Sequence, residues 1–252
     1  MKEHIWKSSS LVKKYLSGVR GAIPLASEQL DIVMRLISKA EKPTGTFLDI
    51  GCGDGVLAAT ILERYQGMKG VCLDFSEPML DAAQEKLKEY STNLKFILLD
   101  YGERNWTQRV EAMTTFDLVV SGFSIHHQPD ERKKELYNEI FDLLVPGGLF
   151  LNIEHVLSPT KWIESVFDNQ FIDNLYQMHL TFEPETTREK VAQEYYRRPD
   201  KEANILAPVE KQCDWLREIG FGDVDCYFKV FELAIFGGRK PMTFSGATPG
   251  DT

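Results

Sequence analysis

The chain is short of positive charge, of cysteine and of long apolar runs, and each shortage removes a class of function. Lys and Arg number 29 against 38 Asp and Glu, a formal charge of −9. That is the wrong sign for non-specific attraction to a phosphate backbone, so nucleic acid is a disfavoured partner. No stretch is long and apolar enough to cross a bilayer, and the opening MKEHIWKSSSLVKKYLSG never sustains the apolar core of a secretory signal. A cytoplasmic protein with no membrane partner is expected. The four cysteines, Cys52, Cys72, Cys213 and Cys226, include no Cys-x-x-Cys pair. They sit in apolar or strand-like segments, where a free thiol behaves as a small hydrophobe, so neither disulfides nor a zinc knuckle is expected.

What is present is an alternation of two periods. Residues 46–50, TFLDI, read as a strand that ends in glycines, and Leu57, Ala58, Ile61, Leu62 and Tyr65 then make an amphipathic helix. The unit repeats: a strand at 71–73 ends at Asp74, and the next helix starts at Ser76 with Pro78 in its first turn. Further strands are expected at 94–99, 116–120 and 149–153, with a helix over about 131–144 that stops at Val145-Pro146-Gly147-Gly148. Aliphatic strands separated by helices argue for a parallel sheet covered on both faces, with ligands at the carboxyl ends of its strands. Beyond strand five the alternation breaks. Residues 159–207 read as a helical insert in two pieces joined near Phe182-Glu183-Pro184. A last helix over about 208–219 ends at Gly220, and two strands, 223–229 and 232–239, lie too close for a crossover and must pair antiparallel. The expected division is a helical cap over 1–45, a core over 46–158, the insert over 159–207, a closing helix and strand pair over 208–240, and a loose tail over 241–252.

The chemistry is sought after each strand. The first turn, Asp49-Ile50-Gly51-Cys52-Gly53-Asp54-Gly55, lets backbone amides approach a ligand closely at a helix start. A triphosphate-binding loop would end in Lys-Ser/Thr, and Val56-Leu57 stand there instead. A nicotinamide site would also use Gly-x-Gly and an acid after strand two; the acid before the first glycine and the third glycine two residues after the second separate the readings. Cys52 has acidic neighbours that oppose thiolate formation, so it is expected to fill the turn and not to act as a nucleophile. His126, His127 and His155 follow strands four and five and are candidates for a base or for orienting substrate. With Glu154 they are poorly spaced for a metal, and none is expected. Trp162, Phe167, Phe171 and Tyr176 form an aromatic stripe in the insert, read either as packing or as a lid over substrate, and Arg188, Arg197, Arg198 and Lys201 form a local positive cluster, read either as a solvated face or as a site for an anion.

These motifs together resemble the class I S-adenosylmethionine-dependent methyltransferases, whose first motif is an acidic residue followed by Gly-x-Gly-x-Gly. Asp74, twenty-three residues after Gly51, matches the acid that binds the ribose hydroxyls, and Asp100-Tyr101 match the pair that hold adenine. Residues 116–127, including Ser121, match the fourth motif, and 144–148 match the loop before strand five. The resemblance implies a Rossmann-like, doubly wound, mostly parallel seven-stranded sheet with an antiparallel last strand and a helical lid. It also implies S-adenosylmethionine as cofactor, S-adenosylhomocysteine as product and a small-molecule acceptor. Asp49, Gly51, Cys52 and Gly53 would hold the methionyl portion, Asp74 and Asp100 the ribose and adenine, and Phe75, Met79 and Tyr101 would wall the base. His126, His155 and Arg197 are the expected catalytic or substrate residues. Residues beyond strand five, with Ile23-Pro24, also resemble the carboxy-S-adenosylmethionine synthase branch used in tRNA wobble-uridine modification, where an arginine of the insert grips the extra carboxylate; gap-free counting places it at Arg197, beside Arg198. Residues 122–127 look instead like ordinary small-molecule methyltransferases. A non-catalytic cofactor-binding protein is a further reading. Residues 17–29, with Tyr15 and Arg20, are expected to cap the cofactor, and the insert to serve a possible homodimer.

Overall fold

The computed structural model describes residues 7–8, 12, 19–39, 45–111, 115–198, 201 and 203–242. Seven strands form one sheet: β1 Thr46–Ile50, β2 Lys69–Asp74, β3 Leu94–Leu98, β4 Phe116–Gly122, β5 Leu144–His155, β6 Gly222–Val230 and β7 Leu233–Arg239. Their order is β3-β2-β1-β4-β5-β7-β6. The first five run parallel, and β7 lies antiparallel between β5 and β6, as the short connection requires. Strand β5 starts earlier than expected, because Leu144 already pairs with Phe116 ahead of a register shift. The strand order reverses between β1 and β4, and the crevice at their carboxyl ends is where an open sheet of this kind takes a ligand.

The helices are α1 Ala26–Ile37, α2 Val56–Arg64, α3 Glu77–Lys86, α4 Gln108–Glu111, α5 Asp130–Leu143, α6 Lys161–Leu180, α7 Arg188–Tyr196 and α8 Val209–Ile219. Local chemistry sets several of their ends. Ser76 Oγ accepts from the Met79 amide to cap α3, Thr160 and Thr187 cap α6 and α7 in the same way, and Gly220 ends α8 in the left-handed conformation. Val33, Ile37, Leu57, Ile61 and Leu80 of α1, α2 and α3 pack with Phe47 and Leu118 in one apolar cluster. Leu136, Tyr137 and Ile140 of α5 and Leu216 of α8 pack with Phe150 and Phe236 in a second. Each such side chain, fully withdrawn from water, contributes roughly 1.5–3 kcal/mol. A third cluster joins the insert to the rest: Phe167, Phe171, Leu175 and Tyr195 meet Ala22 and Leu233, so the insert lies against the carboxyl edge of the sheet.

Candidate active site

A cavity of about 280 Å³ opens at that edge, near the lower end of small-molecule pockets, roughly 300–1,000 Å³. One half is built by the ends of β1 and β2. After Ile50 the chain turns through Gly51 and Gly53 at φ of +64° and +54°, conformations that favour glycine. A Cβ on Gly51 would lie 1.9 Å from Ser124 Oγ, whereas one on Gly53 would meet no atom within 4 Å and would fill open space. Asp74 Oδ2 accepts from the Gly53 amide at 2.9 Å and Oδ1 from the Ser76 amide at 2.8 Å, tying the second strand end to the turn. Burial pushes this carboxyl up to about 6, with those amides pulling the other way. Asp49, Cys52, Phe75 and Met79 complete this half, with Ile23, Ala26, Gln29 and Leu30 of the N-terminal segment beside them. Ile23, Ala26 and Gln29 belong to the segment expected to cap the cofactor; Tyr15 and the side chain of Arg20 lie outside the described residues. The Cys52 thiol is hydrogen-bonded to Cys72 and buried, both of which raise it well above the ordinary thiol value and oppose nucleophilic chemistry.

The other half follows β4 and β5. His126 is buried with Nδ1 2.5 Å from Glu154 Oε1, and Glu154, fully buried, also accepts from the His155 amide at 2.9 Å and from Asn152 Nδ2 at 3.3 Å. Burial raises the Glu154 carboxyl to about 7 against these hydrogen bonds. His155 Nε2 lies 2.6 Å from Glu232 Oε2 and its Nδ1 lies 3.4 Å from Asn204 Nδ2. The His126 and His155 rings are 5.8 Å apart, edge to face. Phe167, Phe171 and Tyr195 of the insert wall this half, and the Arg198 guanidinium sits 5.3 Å from the Tyr195 ring centre. Tyr195 is itself held by Asp168, which its hydroxyl reaches at 2.5 Å and which Lys201 reaches at 2.9 Å. The return segment is strapped down: the Ile205 amide donates to the His126 carbonyl at 2.9 Å, and buried Lys133 reaches the Ile205 carbonyl.

Asp49, Gly51, Cys52, Gly53, Asp74, Phe75, Met79, His126 and His155 therefore share one cavity, and four other expected site residues do not line it. Ser121 is buried and its hydroxyl donates to the Ile50 carbonyl at 2.8 Å, bracing β4 on β1. Tyr101 turns inward, its hydroxyl donating to the Ser124 carbonyl at 2.8 Å, and Arg132 Nη2 holds its carbonyl at 2.7 Å. Asp100 stands outside the lining and accepts from the Gly102 amide at 2.7 Å. Arg197 is exposed on the outer side of the α7 terminus, and the neighbouring Arg198 faces the cavity instead. Of the aromatic stripe, Phe167 and Phe171 line the cavity while Trp162 is exposed. Sequence reasoning missed Asn204 and Glu232. Glu232 was within reach of topology: β7 pairs antiparallel with β5, Leu233 against His155, so the residue before β7 falls at the functional edge.

Among the described residues no group of His, Cys, Asp and Glu is arranged to hold a metal ion, and no helix is long and apolar enough to cross a membrane. Residues 47–148 match the family described as "Methyltransferase domain". The carboxy-S-adenosyl-L-methionine synthase of Shewanella amazonensis is 24% identical over 222 residues, 86% of this chain and 84% of that one. The malonyl-[acyl-carrier protein] O-methyltransferase 1 of Ilyobacter polytropus is 28% identical over 152 residues, 60% of this chain and 49% of that one. Among solved structures, an O-methyltransferase family protein from Burkholderia thailandensis superposes with a TM-score of 0.61 at 16% identity, over 86% of this chain and 57% of its own. PigF with SAH gives 0.61 at 16%, over 95% of this chain and 62% of its own. At such identities the structures speak for the fold alone. Sequence and architecture converge: residues 47–148 match a methyltransferase domain, and the chain has the fold of, and is similar to, the S-adenosylmethionine-dependent methyltransferases.

Proposed function

We propose that the chain transfers a methyl group from S-adenosylmethionine to a small-molecule acceptor by in-line displacement, releasing S-adenosylhomocysteine. The observation that carries this is one continuous cavity running from the glycine turn to the histidine pair, so that donor and acceptor would share one space. The residues fit the cofactor. Gly53 leaves open the space a side chain would fill, Asp49 and Asp74 are acids that suit a cationic, amine-bearing ligand, and Phe75 and Met79 offer apolar walls. The cofactor supplies an activated methyl on a sulfonium. The chain's own residues have to bind, align and exclude water: Asp74 accepts from the ribose hydroxyls, the turn admits the methionyl portion, and the insert covers the acceptor side. Alignment of this kind is worth about 7–11 kcal/mol when ideal. Mass spectrometry of small molecules released from the freshly purified protein tests the reading. S-adenosylmethionine or S-adenosylhomocysteine is the expected finding; no retained cofactor together with no calorimetric binding of S-adenosylhomocysteine removes it.

A second reading is favoured by Arg198 in the cavity wall and by relatives named carboxy-S-adenosyl-L-methionine synthase. There Arg198, in place of Arg197, would grip a carboxylate on the cofactor, and recovery of the carboxylated compound would select this branch and tRNA modification as its setting. A cytoplasmic location suits the free thiols. Exposed Trp162 and Tyr196 on the insert support a homodimer through that face, which sizing of the purified protein would detect.

A further inference from the structure

Four described residues other than glycine hold a positive φ: Leu25, Phe123, Asp223 and Phe231. Among them only Phe123 lines the cavity. At φ +51° a bulky aromatic residue stands in the left-handed region, a conformation that persists only where the surroundings over-determine it. Here they do. The Phe123 amide donates to the Ile153 carbonyl at 2.7 Å, beside the last β4–β5 pair, Gly122 with Ile153. On its other side Ser124 is held by Tyr101, whose hydroxyl donates to the Ser124 carbonyl at 2.8 Å and lies 2.7 Å from Ser124 Oγ. The ring that this backbone presents stands at the waist of the cavity. Phe123 packs against the cluster that holds Cys52 and Leu57 and against the cluster of Phe167 and Phe171 in the insert, and among the described residues no other partly buried hydrophobic side chain packs against both. We propose that Phe123 is a cofactor-recognition residue whose ring flanks the sulfonium of S-adenosylmethionine and distinguishes the charged donor from its neutral product.

The inference rests on the methyl-transfer reading and deepens it. A sulfonium carries a positive charge but no N–H or O–H, so on leaving water it cannot exchange hydration for hydrogen bonds that it donates. Its remaining partners are oxygen atoms and the negative face of an aromatic ring. Asp74 already accepts from the Gly53 and Ser76 amides. Of the aromatic rings in the wall, Phe75 follows β2, and Phe167, Phe171 and Tyr195 belong to the insert. Phe123 alone lies where the donor half meets the insert half. A ring flanking the sulfur leaves the line from the insert to the methyl carbon open. When the methyl leaves, the electron pair of the carbon–sulfur bond passes to sulfur and cancels the charge, so the attraction to the ring ends with the reaction and the product is released from that wall. A ring that serves only as packing between core and insert would hold donor and product equally.

Titration calorimetry of the full chain with S-adenosylmethionine and with S-adenosylhomocysteine separates recognition from packing. Phe123→Leu keeps apolar bulk without the aromatic face, and Leu25 shows a leucine held at φ +56° in this chain. Phe123→Asn lacks the face and suits the left-handed backbone. In both variants the preference for donor over product, read as the ratio of the two Kd values, should fall by roughly 3–30-fold. Phe75→Leu, at the wall read as facing the base, should weaken both ligands by the same factor. An unchanged ratio in the Phe123 variants, whether both ligands weaken together or neither does, overturns the proposal. The wild type gives a second reading that needs no variant. With S-adenosylmethionine carrying a carbon-13 methyl bound to the chain, nuclear Overhauser contacts are expected between that methyl and the Phe123 ring protons; contacts to other rings alone overturn the assignment. Failure of the wild type to bind either ligand removes the methyl-transfer reading instead, so the two failures are distinguishable.

Discussion

Replacing Gly53 by Ala separates the cost of a backbone conformation from the cost of filling a binding site. At φ +54° an alanine pays the left-handed penalty, about 1–2 kcal/mol, and nothing more in the empty protein, because its Cβ meets no atom within 4 Å. For a chain of this length each kcal/mol moves Tm by roughly 2–4 °C, so Gly53→Ala should melt about 2–8 °C lower. On the proposed reading the same methyl group occupies the space in which the cofactor approaches the turn. In the wild type, S-adenosylhomocysteine at a hundred times its Kd should stabilise by about 2.7 kcal/mol, a rise of roughly 5–11 °C; in Gly53→Ala that rise should vanish. Gly51→Ala supplies the contrast. Its Cβ would lie 1.9 Å from Ser124 Oγ, and Ser124 is held by Tyr101, so overpacking adds about 1–3 kcal/mol to the backbone penalty. Thermal melts of the two variants with and without ligand decide the matter. A Gly53→Ala protein that keeps the full ligand-induced rise would refute the assignment of this turn as the cofactor cradle.

Three further outcomes are expected. Burial raises the Asp74 carboxyl to about 6, so in the fold it stays protonated where the unfolded chain ionises, and its contribution to stability falls as pH rises from about 4 through 6. Cofactor affinity runs the other way: calorimetry should show S-adenosylhomocysteine binding weaken as pH drops through 6, by roughly 10–150-fold if a charged hydrogen bond of about 1.5–3 kcal/mol is lost, and Asp74→Asn should remove that dependence. Arg197→Ala should leave cofactor and acceptor binding unchanged because its side chain is exposed, while Arg198→Ala should weaken binding of whichever ligand occupies the insert side; equal effects in titration calorimetry would contradict the placement. Lys133→Met removes a buried ammonium bonded to Asp130 and to the Ile205 carbonyl, and should cost about 1–3 kcal/mol. Hydrogen exchange should rise first in residues 203–207, which that ammonium straps to the core, and unchanged exchange there would count against the strap.

The sheet was legible because doubly buried strands write themselves as aliphatic runs. Residues 46–50 are a strand with the expected bounds, and the caps at Ser76 and Gly220 stand where their chemistry placed them. The strand-end rule also led to Gly51, Gly53, Asp74, His126 and His155, which line one cavity, since position along a parallel strand is enough to find the carboxyl edge of the sheet. Direction across the chain was harder to read. Tyr101 and Ser121 stand near strand ends, yet turn into the protein to satisfy a backbone carbonyl, a choice made by neighbours far away in sequence. Arg197 and Arg198 show the sharper limit: at a helix terminus successive residues point about 100° apart, so a count off by one exchanges cavity for solvent. Glu232 and Asn204 carried no motif at all, and only the antiparallel pairing of β5 with β7 reveals that a hairpin tip belongs to the site.

That hairpin makes the two halves of the cavity unequal in time. The glycine-turn half draws chiefly on residues between Asp49 and Met79 and on Ile23, Ala26, Gln29 and Leu30 before them. The contact between His155 and Glu232 spans 77 residues, and at 5–20 residues per second a ribosome delivers Glu232 roughly 4–15 s after His155. The histidine side of the cavity is therefore completed only once the β6–β7 hairpin has been synthesised. A growing polypeptide holds the glycine turn several seconds before it holds the finished histidine wall.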